Sequence, residues 1–158
     1  MQEKLFNLIL ILVALLIAAV LAARKAEAQE LSKQEIKKLI IAEAIKQQVD
    51  PVIALAVAKV ESDFNPNAVG SVGEIGVYQL RPEFHDVKKG DVKHNVKVGV
   101  RYLKRMEAVC REKYKDAWYV CYNTGPNRTK PVRAPYEFPY TKKVKRAKRE
   151  VLPYVVGN

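Results

Sequence analysis

Residues 58–80 read AKVESDFNPNAVGSVGEIGVYQL, and they follow the almost unbroken apolar run PVIALAV of residues 51–57. A helix that is apolar on nearly every side belongs at the centre of a domain. Asp50 and Pro51 supply its start, an N-cap followed by a proline at the first helical position. The helix is expected to run to about Ser62, so it carries Glu61 close to its end. Burial and the negative end of the helix dipole both disfavour a charged carboxylate there, and both raise its pKa. A carboxylic acid that keeps its proton near neutral pH is the group needed to protonate a leaving oxygen. The structural alternative is a surface glutamate paired with a lysine such as Lys59. Downstream, Asn65-Pro66-Asn67 and the glycines Gly70, Gly73 and Gly76 make a loop that must turn tightly or approach something closely.

Outward from this stretch the pattern is helical. Ser32-Lys33-Gln34-Glu35 reads as a capping box, and Ile36, Leu39, Ile40, Ala44 and Ile45 form a helical stripe ending near Val49. A short helix is expected around Pro82–Val87, and a longer one from about Val92 to Glu112 with Val96, Val100, Leu103 and Met106 or Glu107 on successive turns. Asp116 is placed to cap a helix that runs through Trp118 and Val120 to Thr124, stopped by Gly125-Pro126. Pro126, Pro131, Pro135 and Pro139 mark a connection to a basic helix near Tyr140–Val151. Strand-like alternation is nearly absent, so the domain is mainly α.

The first 28 residues are a different material. From Leu5 to Ala23, 18 of 19 residues are apolar, a length of roughly 28 Å as a helix. Arg24 and Lys25 follow, then Ala26-Glu27-Ala28, which has the form of a signal-peptidase site. Residues 1–28 are therefore read as a signal peptide or a transmembrane anchor, and residues 29–158 as one exported domain, for which the length is sufficient.

The chain carries 28 Lys and Arg against 17 Asp and Glu, a net charge of +11, which favours acidic partners without choosing among them. The basic run over residues 142–149 reads as a solvated helix face, and no nucleic acid is expected as a partner. Cys110 and Cys121 suit either one disulfide or two small core residues, and export permits the bridge. His85 and His94, nine apart with no cysteine nearby, read as exposed polar residues; no metal and no cofactor is expected. Trp118 reads as core.

Four motifs then occur in order. Glu61-Ser62 opens E-S-D-F-N-P-N-A, followed by G-x-x-G with Gln79 three residues on. NVKVGVRYL at residues 95–103 fits N-x-x-x-G-x-x-Y-L, and CYNTGP at 121–126 fits A-Y-N-x-G-P. Tyr140 sits in PYTKKV, close to P-Y-x-x-x-V. Together, over roughly residues 41–152, they resemble the catalytic domain of the soluble lytic transglycosylases, in the lysozyme-like superfamily. The implied fold is a lysozyme-like helical domain, here preceded by an N-terminal hydrophobic helix.

The resemblance implies an activity and a site. Glu61 would be the single acid/base, protonating the oxygen that joins N-acetylmuramic acid to N-acetylglucosamine in peptidoglycan glycan strands. As carboxylate it would then take the proton of the muramic C6 hydroxyl, closing a 1,6-anhydro ring. The sugar's own N-acetyl group would steady the positive centre between the two steps, an exception to the two-carboxylate rule. Ser62 would bond in the site or cap the helix end, Gln79 would offer its amide to the glycan, Tyr122 and Asn123 would line the cleft wall, and Tyr140 would place a phenol near Glu61. The family's usual serine is replaced by Gly70, with Ser71 one residue later, and its usual methionine by Tyr78, an aromatic suited to stacking on a sugar face. Cys121 stands where alanine is common, which suggests a disulfide to Cys110.

Two other readings compete. A hydrolase of the goose-lysozyme kind would use the same glutamate but deliver water, for which Glu74 and Glu83 are the acidic candidates. A non-catalytic peptidoglycan-binding module would keep the shell without needing Glu61. The expected location is the bacterial cell envelope, on the periplasmic side, anchored by the N-terminal segment or secreted with its help. By analogy with small one-domain enzymes of this kind, a secretion, pilus or phage assembly is the expected partner.

Overall fold

The structure, a computed structural model, describes residues 10–20, 31–125 and 133–157. Chain contacts divide it into two units, Met1–Ser32 and Lys33–Asn158. In the first, residues 10–20 are helical with exposed apolar side chains. The remainder of the apolar run, Arg24-Lys25 and the Ala26-Glu27-Ala28 site lie outside the described residues. Among the described residues no helix is long and apolar enough to cross a membrane.

The second unit contains α1 (Lys33–Lys46), α2 (Pro51–Ser62), α3 (Val92–Tyr114), α4 (Val120–Thr124), α5 (Pro139–Val151) and α6 (Pro153–Val156). A 3-10 turn, Lys115–Ala117, joins α3 to α4. No strand occurs among the described residues; two isolated antiparallel bridges, Val69 to Ile75 and Ile75 to Leu80, fold the loop between α2 and α3 onto itself.

Helix α2 orders the rest. The Asp50 carboxylate accepts from the Val52 N–H at 2.8 Å, satisfying a donor that the first turn leaves open. Ile53 through Ala58 are all buried, which only a helix covered on every side achieves. Its neighbours are α1 on one flank and α5 on another, α5 making the more extensive contact. The helix stops because Asp63 enters the left-handed region (φ 51°) and sends its N–H back to the Lys59 carbonyl. Lys33 and Lys59 hold the Asp63 carboxylate from two directions.

Helix α3 is the long support. Asp91 caps it by accepting from the His94 N–H at 3.0 Å, and Val96, Val100, Leu103 and Met106 form its fully buried stripe. It runs two residues past the expected Glu112. Cys110 and Cys121 form a disulfide between α3 and α4. Asp116 does not cap the next helix. It lies inside the 3-10 turn, and α4 starts only at Val120. Residues 117–122 are all buried. The expected helix at Pro82–Val87 is likewise a single turn. The Arg81 carbonyl accepts from both Phe84 and His85, and Val87 then bonds to His85 instead of continuing. In α1, Ile36, Ile40 and Ala44 are buried, but Ile45 is 64 % exposed and lies off the stripe. Pro126 and Pro131 lie outside the described residues.

Candidate active site

The end of α2 delivers Glu61 to a cleft of about 590 Å³. One wall is the glycine-rich loop, with Gly70, Ser71, Glu74 and Gln79; another is the turn carrying Arg81, Phe84 and His85; Tyr102 of α3 and Tyr122 and Asn123 of α4 complete it. From α5, the Tyr140 hydroxyl donates to Glu61 Oε1 at 2.6 Å. The two residues are 79 positions apart in the chain, and the packing of α5 on α2 brings them together.

Burial is the chief cause that lifts the Glu61 carboxyl from its ordinary 4.5 to about 7. The hydrogen bond from Tyr140 works against it, the Glu74 charge adds to it, and Lys143 pulls the other way. Burial also pushes the Tyr122 and Tyr140 phenols well above their usual range, with the Glu61 charge contributing to both. Both phenols therefore remain hydrogen-bond donors across the working range. A carboxyl balanced near neutrality gives and accepts a proton with comparable ease, which suits a single group to both acid and base roles.

The loop beside Glu61 is fastened by polar side chains. Ser62 Oγ donates to the Val77 carbonyl at 2.8 Å, and Tyr122 Oη to the Tyr78 carbonyl at 2.7 Å. Asn95 on α3 donates to the Ile75 carbonyl and accepts from the Tyr78 N–H, both at 3.0 Å. Gly76, at φ 75°, admits that amide: a Cβ there would lie 2.6 Å from Asn95 Nδ2. Gln79, on the cleft wall, spends its Nε2 on the Ala68 and Gly76 carbonyls, at 3.2 and 2.9 Å.

Several expectations change at this point. Tyr78 does not present a stacking face. It is fully buried, its hydroxyl donates to the Ala54 carbonyl at 3.0 Å, and its ring fills the space over Gly99, where a Cβ would approach within 2.2 Å. Ser62 bonds to the loop and does not line the cleft. As expected, Ser71 and Asn123 are on the cleft wall, where both are exposed, and α4 ends with Gly125 as its C-cap. His85 is half-buried in the cleft, its ring 4.8 Å from that of Tyr102 and its pKa lowered by burial and by Arg105. His94 is also half-buried, with its ring nitrogen 2.7 Å from the Asp86 carbonyl oxygen. Trp118 is core, 1 % exposed.

Phe84 and Tyr102 are among the cleft residues that the sequence did not single out. Phe84 is 71 % exposed with the Arg81 guanidinium 4.8 Å from its ring centre, and Tyr102 packs edge-on against Tyr122. Tyr102 had a signal, the tyrosine of N-x-x-x-G-x-x-Y-L; Phe84 had none. Among the described residues no three His, Cys, Asp or Glu side chains gather as a metal site.

No curated protein and no solved structure matches the chain. The family model of the transglycosylase SLT domain matches residues 38–144, a span that contains Glu61, the loop, the cleft-lining tyrosines and Tyr140. The chain belongs to the transglycosylase SLT domain family, within the lysozyme-like superfamily.

Proposed function

We propose that this chain is a lytic transglycosylase of peptidoglycan, with residues 29–158 as its catalytic domain and Glu61 as its acid and base. The observation that carries this reading is the Glu61 carboxyl itself, facing a cleft, held to about 7 chiefly by burial and bonded by Tyr140. In the forward step Glu61 gives its proton to the oxygen leaving C1 of N-acetylmuramic acid. The bond from C1 to that oxygen breaks, and the N-acetyl group of the same sugar steadies C1. The Glu61 carboxylate then removes the proton of the C6 hydroxyl as its oxygen bonds to C1. No water is consumed, and Glu61 ends protonated, ready for the next bond. In this reading Gln79, Ser71 and Asn123 contact the glycan, which their position on the cleft wall supports, while Tyr122 acts by holding the loop.

The test is the mass of the soluble products when the full-length chain digests purified peptidoglycan. Muropeptides lacking one water relative to hydrolysis products are expected. Fully hydrated reducing ends would replace this reading with hydrolysis of the same bond, a second reading supported by the presence of Glu74 in the cleft as a candidate to hold water. No release of glycan would leave a binding module.

We also propose export, with or without attachment, and the apolar run from Leu5 to Ala23 supports that reading. Residues 1–28 act as signal or anchor and place the domain on the periplasmic side of the cell envelope, where the Cys110–Cys121 bridge is chemically at home. A secretion, pilus or phage assembly is the partner we propose for such local wall opening. Fractionation followed by N-terminal sequencing distinguishes anchor from signal: an intact Met1 in the membrane fraction means anchor, and a chain starting at Gln29 means signal.

A further inference from the structure

Residues 70–74 close a tight turn. The Gly70 N–H donates to the Glu74 carbonyl at 2.8 Å, and the Gly73 N–H to the Gly70 carbonyl at 3.3 Å. The turn brings the Glu74 side chain back over Gly70, where Oε2 accepts from the Val72 N–H at 3.1 Å. A Cβ at position 70 would lie 2.2 Å from that oxygen, 3.0 Å from the Glu74 carboxyl carbon and 2.9 Å from Gln79 Oε1. No L side chain at 70 coexists with the carboxylate in this place. The half-buried carboxylate so seated lines the same cleft as Glu61.

We propose that Gly70 and Glu74 work as a pair: the missing side chain at 70 seats a second carboxylate in the cleft that Glu61 enters, where its charge acts on the acid. Glu74 is then a positioning residue for the acid, and the departure from serine at position 70 has a physical meaning. The groups around Glu61 are divided. From α5, the Tyr140 hydroxyl and Lys143 favour the ionised form; from α4, the Tyr122 phenol stays neutral; from the loop, Glu74 favours the protonated form alongside burial; Arg81, paired with Glu83, and His85 on the turn and Tyr102 on α3 line the same cleft. In a partly dewatered cleft a like charge acts more strongly than it would in bulk water. Removing that charge returns the advantage to Tyr140 and Lys143.

The inference rests on Glu61 being the acid, and its test reads Glu61 without relying on turnover. Full-length protein labelled with carbon-13 at the glutamate carboxyls is titrated by NMR, with the Glu61 signal assigned from its loss in Glu61→Gln. Four proteins are compared: the unmodified chain, Glu74→Gln, Gly70→Ser and the double variant, each checked by thermal melting. Glu61 is expected to titrate near 7 in the unmodified chain, and roughly 0.5–1 pH unit lower in Glu74→Gln. Gly70→Ser is expected to reproduce that shift by expelling the carboxylate, and the double variant to add nothing further. A Glu61 midpoint unmoved in Glu74→Gln overturns the pair. So does a shift in Glu74→Gln with none in Gly70→Ser, or two shifts that add. Glu74→Gln is isosteric, so a Gly70→Ser variant that fails to fold still leaves the charge claim decided. Absence of glycan cleavage by the unmodified chain would remove the proposed reaction but leave this titration readable.

Discussion

The body of α2 and the loop that follows it are neighbours, the first held by apolar burial and the second by apolar burial together with side chains bonded to its backbone. From Ile53 to Ala58 the helix is 0–6 % exposed and is kept in place by apolar contact with α1 and α5. The loop also buries apolar side chains, Phe64, Ile75, Val77, Tyr78 and Leu80, but it has a second fastening. It is held by side chains bonding to its backbone: Ser62 to Val77, Asn95 to Ile75 and Tyr78, Gln79 to Ala68 and Gly76, Tyr122 to Tyr78. Apolar contact is graded, so a helix can lose a methylene and settle. A hydrogen bond to a buried carbonyl is made or lost, and its loss leaves an unpaired group. Glu61 sits where the two regimes meet, anchored by the helix and faced by the loop.

This contrast separates stability from activity. The largest expected effect on stability is Leu55→Ala, which empties a fully buried site in α2 and should lower unfolding free energy by about 4 kcal/mol in denaturant melts. Glycan release per folded molecule should change little. If release falls as far as the folded fraction allows and then further, helix and loop are not separable in the way argued.

Next is Glu61→Gln, measured for stability against pH. Below about 4.5 the carboxyl is protonated in both the folded and the unfolded chain, so the substitution should matter little. Between there and about 7 the unfolded chain loses the proton that the folded chain keeps, and stability falls as pH rises. Above about 7 the folded protein carries the whole cost of an ionised Glu61, about 3 kcal/mol. Glu61→Gln should therefore melt near the unmodified protein at pH 4 and well above it at pH 8. Equal melting at pH 8 would mean that Glu61 is not held up by burial.

The smallest effect sharpens the contrast most. Tyr122→Phe removes one hydrogen bond, to the Tyr78 carbonyl, and should cost about 1 kcal/mol of stability. Its loss of glycan release should nevertheless exceed that of Leu55→Ala, because it frees the loop facing Glu61. The reverse order, with Leu55→Ala the more damaging to release per folded molecule, would count against the loop as the sensitive region.

What the sequence made legible follows the same division. The bounds of α2, its capping by Asp50 and the position of Glu61 were readable because helix starts and burial are local signals. The 3-10 turn at Lys115–Ala117 was not, since Asp116 reads in the sequence as a helix cap. Tyr78 reads as a sugar platform until Gly99, on another helix, is seen to make room for its ring. The contact between Tyr140 and Glu61 was reachable only through the family resemblance, not from spacing along the chain. The Gly70–Glu74 seat was hidden because it exists only once the loop has closed.

The most direct measurement is the rate at which Glu61→Gln and the unmodified full-length chain release soluble muropeptides from purified peptidoglycan at pH 6. Glutamine keeps the shape and can accept the Tyr140 hydrogen bond, but it has no proton to give. A loss of roughly 10²–10⁴-fold, in a variant that melts at least as high as the unmodified protein, is expected of a lost general acid. Undiminished release by Glu61→Gln would contradict the assignment of the acid and with it the mechanism built on the end of α2.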